Sequence, residues 1–124
     1  MTVLERVCMA ALQVYKPPPK LTLSQWADMY AYLSPESSAE AGKWKTLHYQ
    51  KGIMHAITDP AVTRVTVMKS ARVGYTKIIN HVIGYHIHQD PCPIMVAQPT
   101  VEDAQGYSKD EIVPMVRDTQ ASLP

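Results

Sequence analysis

Apolar residues recur along this chain at two spacings, and the switch from one to the other marks its elements. Residues 3–15 place Val3, Leu4, Val7, Cys8, Ala11 and Leu12 at helical intervals and predict a short helix. Pro17-Pro18-Pro19 ends it and makes a stiff extended spacer. Ser24 is the expected N-cap of a second helix, running through Gln25-Trp26-Ala27-Asp28-Met29-Tyr30 and ending before Ser34-Pro35. Residues 34–42, rich in Ser, Glu, Ala and Gly, read as a loop. Leu47, Gln50, Met54 and Ile57 return to helical spacing until Asp59-Pro60 breaks the pattern.

The spacing then tightens. Thr63-Arg64-Val65-Thr66-Val67-Met68 is short, β-branched and largely apolar, as a buried strand should be. A loop from Lys69 to Gly74 leads into a helix from Tyr75 to His88, with Ile78, Ile79, Val82, Ile83 and Ile87 on one broad face. Asp90-Pro91-Cys92-Pro93 stops that helix, and Ile94-Met95-Val96-Ala97 predicts a second strand. Gln98-Pro99-Thr100 turns into a helix from about Val101 to Tyr107, and a last helix covers about Asp110 to Arg117. This strand–helix–strand–helix order predicts an α/β fold: a partial parallel sheet with right-handed crossovers and flanking helices, preceded by a helical N-terminal segment. Residues 1–20 form an appendage and residues 21–124 the main unit.

Composition narrows the reading little. The 124 residues suit one domain or part of one. A net charge of +1 gives no global field for nucleic acid or a membrane surface. Cys8 and Cys92 form neither a metal pattern nor a disulfide framework, and read as reduced intracellular thiols. Apolar runs of only a few residues exclude a bilayer-spanning helix, and Met1-Thr2-Val3-Leu4-Glu5-Arg6 lacks a signal-peptide pattern, so a cytoplasmic setting is expected.

The chemistry lies in the loop between strand and helix. The phosphate-loop pattern G-x-x-x-x-G-K-[ST], aligned on Gly74, puts Thr76 at the hydroxyl position, Tyr75 at the usual lysine and Lys69 at the usual first glycine. Two of four fixed positions fail, yet a lysine stands at the loop's other end. Phosphate binding needs inward N–H groups at a helix N-terminus, a cation, and a hydroxyl for Mg²⁺. Gly74 relaxes the turn, Thr76 supplies the hydroxyl, and Lys69 the cation if its side chain folds across the loop. Arg72 and Lys77 add charge. Pattern alone does not separate this from a basic β–α turn with solvated Lys69, Arg72 and Lys77.

The full string, Lys69-Ser70-Ala71-Arg72-Val73-Gly74-Tyr75-Thr76-Lys77, resembles the deviant Walker A of the large terminase subunit of lambda-like tailed phages, the GpA family, in which the lysine is displaced to the loop's beginning. Gly42-Lys43-Trp44-Lys45-Thr46-Leu47-His48-Tyr49-Gln50 and Ile53-Met54-His55-Ala56-Ile57 resemble the family's upstream segment. Met95-Val96-Ala97-Gln98-Pro99-Thr100-Val101-Glu102-Asp103-Ala104 resembles its second strand and Pro-Thr turn, and Ile112-Val113-Pro114-Met115-Val116-Arg117-Asp118 is similar to the family as well. The resemblance covers roughly residues 21–118 and implies a P-loop NTPase fold and an ATP-driven motor that packages double-stranded DNA, working with a small DNA-recognising subunit and a portal.

By position, the resemblance implies that residues 69–77 contact ATP, that Thr76 ligates Mg²⁺ and that Arg72 stabilises transition-state charge. It also implies that Gln50 contacts adenine. The family's adenine-stacking aromatic falls near Ala39, which has no ring. Nothing after Thr100 reads as a Walker B strand, because the run 112–118 contains Pro114, and the nuclease carboxylates are missing. The sequence therefore reads as a fragment, a truncated product or one piece of a split protein.

Other features have plainer readings. His81 and His88 share a helical face while His86 points elsewhere, so solvated polar residues are favoured over a metal site. Trp26 and Trp44 read as core or loop anchors, the methionines as core filler, and Glu102-Asp103 as acids favoured in a first helical turn. Three functions compete: an ATP-binding motor fragment, an interaction module binding the small terminase subunit through residues 3–33, and an incompletely folded remnant.

Overall fold

The computed structural model describes residues 1–17, 19–36 and 38–120, so Pro18, Ser37 and residues 121–124 lie outside it, as does the side chain of Gln120. Helix α1, Val3–Val14, starts where expected, and the Thr2 hydroxyl and Glu5 carboxylate cap it reciprocally. All of its residues are exposed. Helix α2, Leu23–Tyr30, is capped by Thr22 rather than Ser24. The Thr22 hydroxyl reaches the Gln25 N–H, and the Gln25 side chain returns to the Thr22 N–H. Ser24 is instead buried within the helix. Both caps are Thr-x-x-Glu/Gln boxes, which outcompete a lone serine two residues later.

The paired strands are β1, Tyr32–Leu33, and β2, Gly42–Lys43, which meet as a short antiparallel ribbon across the expected loop. Helices α3, His48–Thr58, and α4, Tyr75–His88, match the sequence pattern closely. Leu23, Trp26, Ala27, Ala31, Trp44, Met54 and Ile78 make one core where α2, α3 and α4 meet. Both tryptophans are thus anchors. Gly84 lets α4 approach α2 closely, since a Cβ there would lie 2.5 Å from the Trp26 ring.

The predicted parallel ladder is not formed among the described residues. Residues 63–68 and 94–97 are neither helical nor paired as strands, and Val65, Met68, Ile94, Met95 and Val96 are exposed. An extended segment becomes a strand only when a neighbour takes its N–H and C=O groups. Residues 67–69 border a groove shared with Ile53 and Ile78, whereas residues 96–98 border one shared with Ile79. The two segments therefore lie against different faces of α4.

The last segment is one helical arm: α5, Val101–Gly106, a π-helical turn, Tyr107–Ile112, and α6, Val113–Gln120. The Val113 N–H bonds the carbonyl of Ser108, five residues back. Pro114 accounts for the widening, because its ring crowds the carbonyl four residues earlier and it has no N–H to offer. The proline that argues against a strand thus shapes a helix.

Candidate functional site

The loop 69–74 is built from both sides. Before it, α3 presents Tyr49 and Gln50; after it, α4 opens directly from Gly74. Gly74 is left-handed, with φ 80° and ψ 16°, and a Cβ there would sit 2.8 Å from Gln50 Nε2. Arg72 is also left-handed at φ 60°, a conformation that costs a side-chain-bearing residue about 1–2 kcal/mol.

Between these two residues the Val73 carbonyl accepts from Tyr49 Oη at 3.0 Å and Gln50 Nε2 at 3.2 Å. Gln50 is buried, and its Oε1 accepts the Leu47 N–H at 3.0 Å. In a planar trans peptide the C=O and the next N–H point oppositely. Fixing the Val73 carbonyl on α3 therefore turns the Gly74 N–H away from α3. Gln50 is thus brought to the loop itself, with its Nε2 engaged there and its Oε1 held at the start of α3.

Helices α1, α2 and α5 begin under the hydroxyls of Thr2, Thr22 and Thr100, whereas α3 and α4 have no side-chain cap. The first turn of α4 combines an uncapped positive dipole end with glycine-permitted backbone, a fit for an anion. The Thr76 side chain is exposed beside an open groove of about 590 Å³ bordered also by Gln98, Asp103 and Tyr107. A hydroxyl there suits a hard, oxygen-preferring cation such as Mg²⁺.

Lys69 does fold across the loop. Its Nζ lies 5.8 Å from the centroid of the Tyr75 ring and donates to the Ser70 carbonyl at 3.3 Å. Tyr75, in the usual lysine position, thus acts as a platform for the displaced one. Arg72 is exposed at the loop's crest. Residues 69–76 and Gln50 are brought together, whereas Lys77 is not turned to the loop. Its Nζ pairs with Glu111 Oε2 at 2.7 Å.

That ion pair belongs to a network the sequence did not reveal. Asn80 Nδ2 donates to the same Glu111 oxygen at 2.9 Å, and Tyr107 Oη donates to Asn80 Oδ1 at 2.6 Å. Burial, and next the Glu111 charge, push the Tyr107 hydroxyl up to about 12, so it stays a donor. Asn80, a lone amide among isoleucines, was the available signal. Its partners lie about thirty residues away and carry none.

His81 corrects the expectation of solvated helix histidines. It is buried, its ring meets Trp44 edge-to-face at 4.5 Å, and neither nitrogen has a partner among the described residues. Burial first, then Lys77, lower it to about 3, against a smaller opposing effect of Asp28. His88 instead accepts from Trp26 Nε1 at 3.1 Å. No group of three His, Cys, Asp or Glu among the described residues could hold a metal. No helix among them is long and apolar enough to cross a membrane.

The family model for the phage terminase large subunit gpA ATPase domain matches residues 38–122. The terminase large subunit of Enterobacteria phage P21 is 40% identical over 106 residues, covering 86% of this chain and 16% of that protein. That of Escherichia phage lambda is 36% identical over 110 residues, covering 89% and 17%. The chain spans about one sixth of the length of these relatives. No solved structure matches.

Proposed function

Because the chain belongs to the phage terminase large subunit gpA ATPase-domain family, we propose that its loop 69–77 holds the phosphates of ATP with Mg²⁺, as the nucleotide-binding portion of a phage DNA-packaging motor. The observation carrying this reading is the run from Arg72 to Thr76: two left-handed residues flank a pinned carbonyl and feed an uncapped helix start. In this reading the backbone of Ser70, Ala71, Val73 and Gly74 and the first amides of α4 hold phosphate oxygens. Lys69 swings from the Tyr75 ring to the phosphates, and Arg72 faces charge developing on the transferred group. Thr76 holds Mg²⁺, which when bound neutralises phosphate charge. Gln50 acts by fixing the loop.

On the same reading, residues 21–124 are part of a P-loop ATPase domain, and residues 63–68 and 94–97, unpaired among the described residues, are the segments that would enter its parallel sheet. Double-stranded DNA, the portal and a small terminase subunit are the partners of the working motor. The test is a fluorescent-nucleotide titration in Mg²⁺, in which Lys69→Ala weakens binding at least about tenfold, the loss of a charge-assisted contact. Equal binding by the two proteins would sink the assignment of Lys69.

A second reading is favoured by α1, whose Val3, Leu4, Val7 and Leu12 are all more than half exposed. That apolar stripe suits docking onto the small terminase subunit. Undiminished co-purification after deletion of residues 1–20 would count against it.

A further inference from the structure

Lys77 is the third residue of α4, one position past the proposed Mg²⁺-binding Thr76, yet its ammonium is held by Glu111 in the π-helical turn of the arm. Both side chains are about four-fifths buried, at 18% and 22% exposure. Glu111 Oε2 also takes the Asn80 amide, and Asn80 in turn takes the Tyr107 hydroxyl. Among the described residues, these bonds tie the π-helical turn to the phosphate-loop helix through the Glu111 carboxylate and the Asn80 amide. A carboxylate buried to this extent is tolerable only while its cation stays near.

We infer that the Lys77–Glu111 pair is a latch: nucleotide phosphates on the loop draw Lys77 away from Glu111 and loosen the 107–120 arm. The inference rests on the phosphate-loop reading and names a way in which that site is regulated. The flexible four-carbon stem of a lysine lets its ammonium exchange partners. A polyphosphate carries several negative charges against one on Glu111. Once Lys77 leaves, Glu111 keeps the Asn80 N–H but loses its counter-charge, and water must enter to solvate it. The π-helical turn already lacks regular α-helical bonding where Val113 reaches back to Ser108. Coupling is reciprocal, so the docked arm opposes nucleotide binding by the same factor by which nucleotide loosens the arm.

The experiment is amide hydrogen exchange on the full chain with and without MgATP, alongside nucleotide titration. In the wild type MgATP should speed exchange of amides 107–113 by about fivefold or more, the lower end of common allosteric couplings. Glu111→Gln keeps an acceptor for Asn80 but removes the charge. It should exchange fast without nucleotide and bind MgATP about fivefold tighter. In Lys77→Ala, MgATP should leave exchange in the arm unchanged. Wild-type binding of MgATP without faster exchange in the arm overturns the latch alone, as does Glu111→Gln binding no tighter. A wild type that binds no MgATP overturns the phosphate-loop reading and the latch with it.

Discussion

Gln50 donates its buried amide to the carbonyl of Val73, 3.2 Å away, and so ties α3 to the crest of the loop. The same side chain accepts the Leu47 N–H at 3.0 Å. Gln50→Leu keeps the volume and removes both bonds, leaving the Leu47 N–H without that acceptor. We expect a loss of about 1–3 kcal/mol in urea unfolding, the usual cost of orphaning a buried polar group. MgATP binding should weaken along with it, because Val73 would then hang on Tyr49 alone. A variant with wild-type stability would show that the Gln50 bonds carry no weight.

Gly74 and Gly52 make a matched pair. At Gly74, φ is 80° and a Cβ would press on Gln50 Nε2 at 2.8 Å, whereas a Cβ at Gly52 meets nothing within 4 Å. Gly74→Ala should cost about 2–3 kcal/mol, combining left-handed strain with displacement of the Gln50 bond. Gly52→Ala, inside α3, should be stabilising by up to about 1 kcal/mol through helix propensity. Similar melting temperatures for the two variants would contradict the loop geometry.

His81 makes stability fall as acid is added. In the unfolded chain a histidine takes a proton near 6.5, while the folded site holds it neutral down to about 3. The native state is therefore not penalised above pH 6.5, and the unfolded state gains on it progressively as pH drops from 6.5 toward 3. At pH 5 the loss is about 2 kcal/mol, one and a half units of proton linkage. His81→Leu should flatten the profile between pH 7 and 5, read by urea midpoints at each pH. Parallel profiles for wild type and variant would mean that His81 is solvated when folded.

Much of the local structure could be read before the fold was known, because its causes are local. The helix from Tyr75 to His88 follows from an isoleucine stripe bounded by Gly74 and by Asp90-Pro91. The contact of Lys69 with the Tyr75 ring, six residues on, is likewise local. What could not be read depends on contacts distant in sequence. Nothing near Lys77 announces that Glu111 will claim it, and nothing near His81 announces that Trp44 will cover it. Thr22 over Ser24 was within reach, since Gln25 three residues later marks the box. Family membership was legible from the loop string itself, and the match to the gpA ATPase domain bears it out.

Residues 63–68 and 94–97 carry strand composition without strand pairing, and this gives a direct prediction in solution. Their N–H groups are in no ladder, while those of α4 lie in a helix packed on the core. Protection from exchange follows local structure and burial rather than composition. Amides 64–67 and 94–97 should therefore exchange far faster than those of 78–85, by about a hundredfold or more if α4 opens only at a cost near 3 kcal/mol. The exposed Val65, Ile94 and Val96 would also make these segments templates for pairing with another strand. Slow exchange in both segments at low protein concentration would mean that the chain closes its own sheet. Slow exchange only at high concentration would mean that one copy pairs with another.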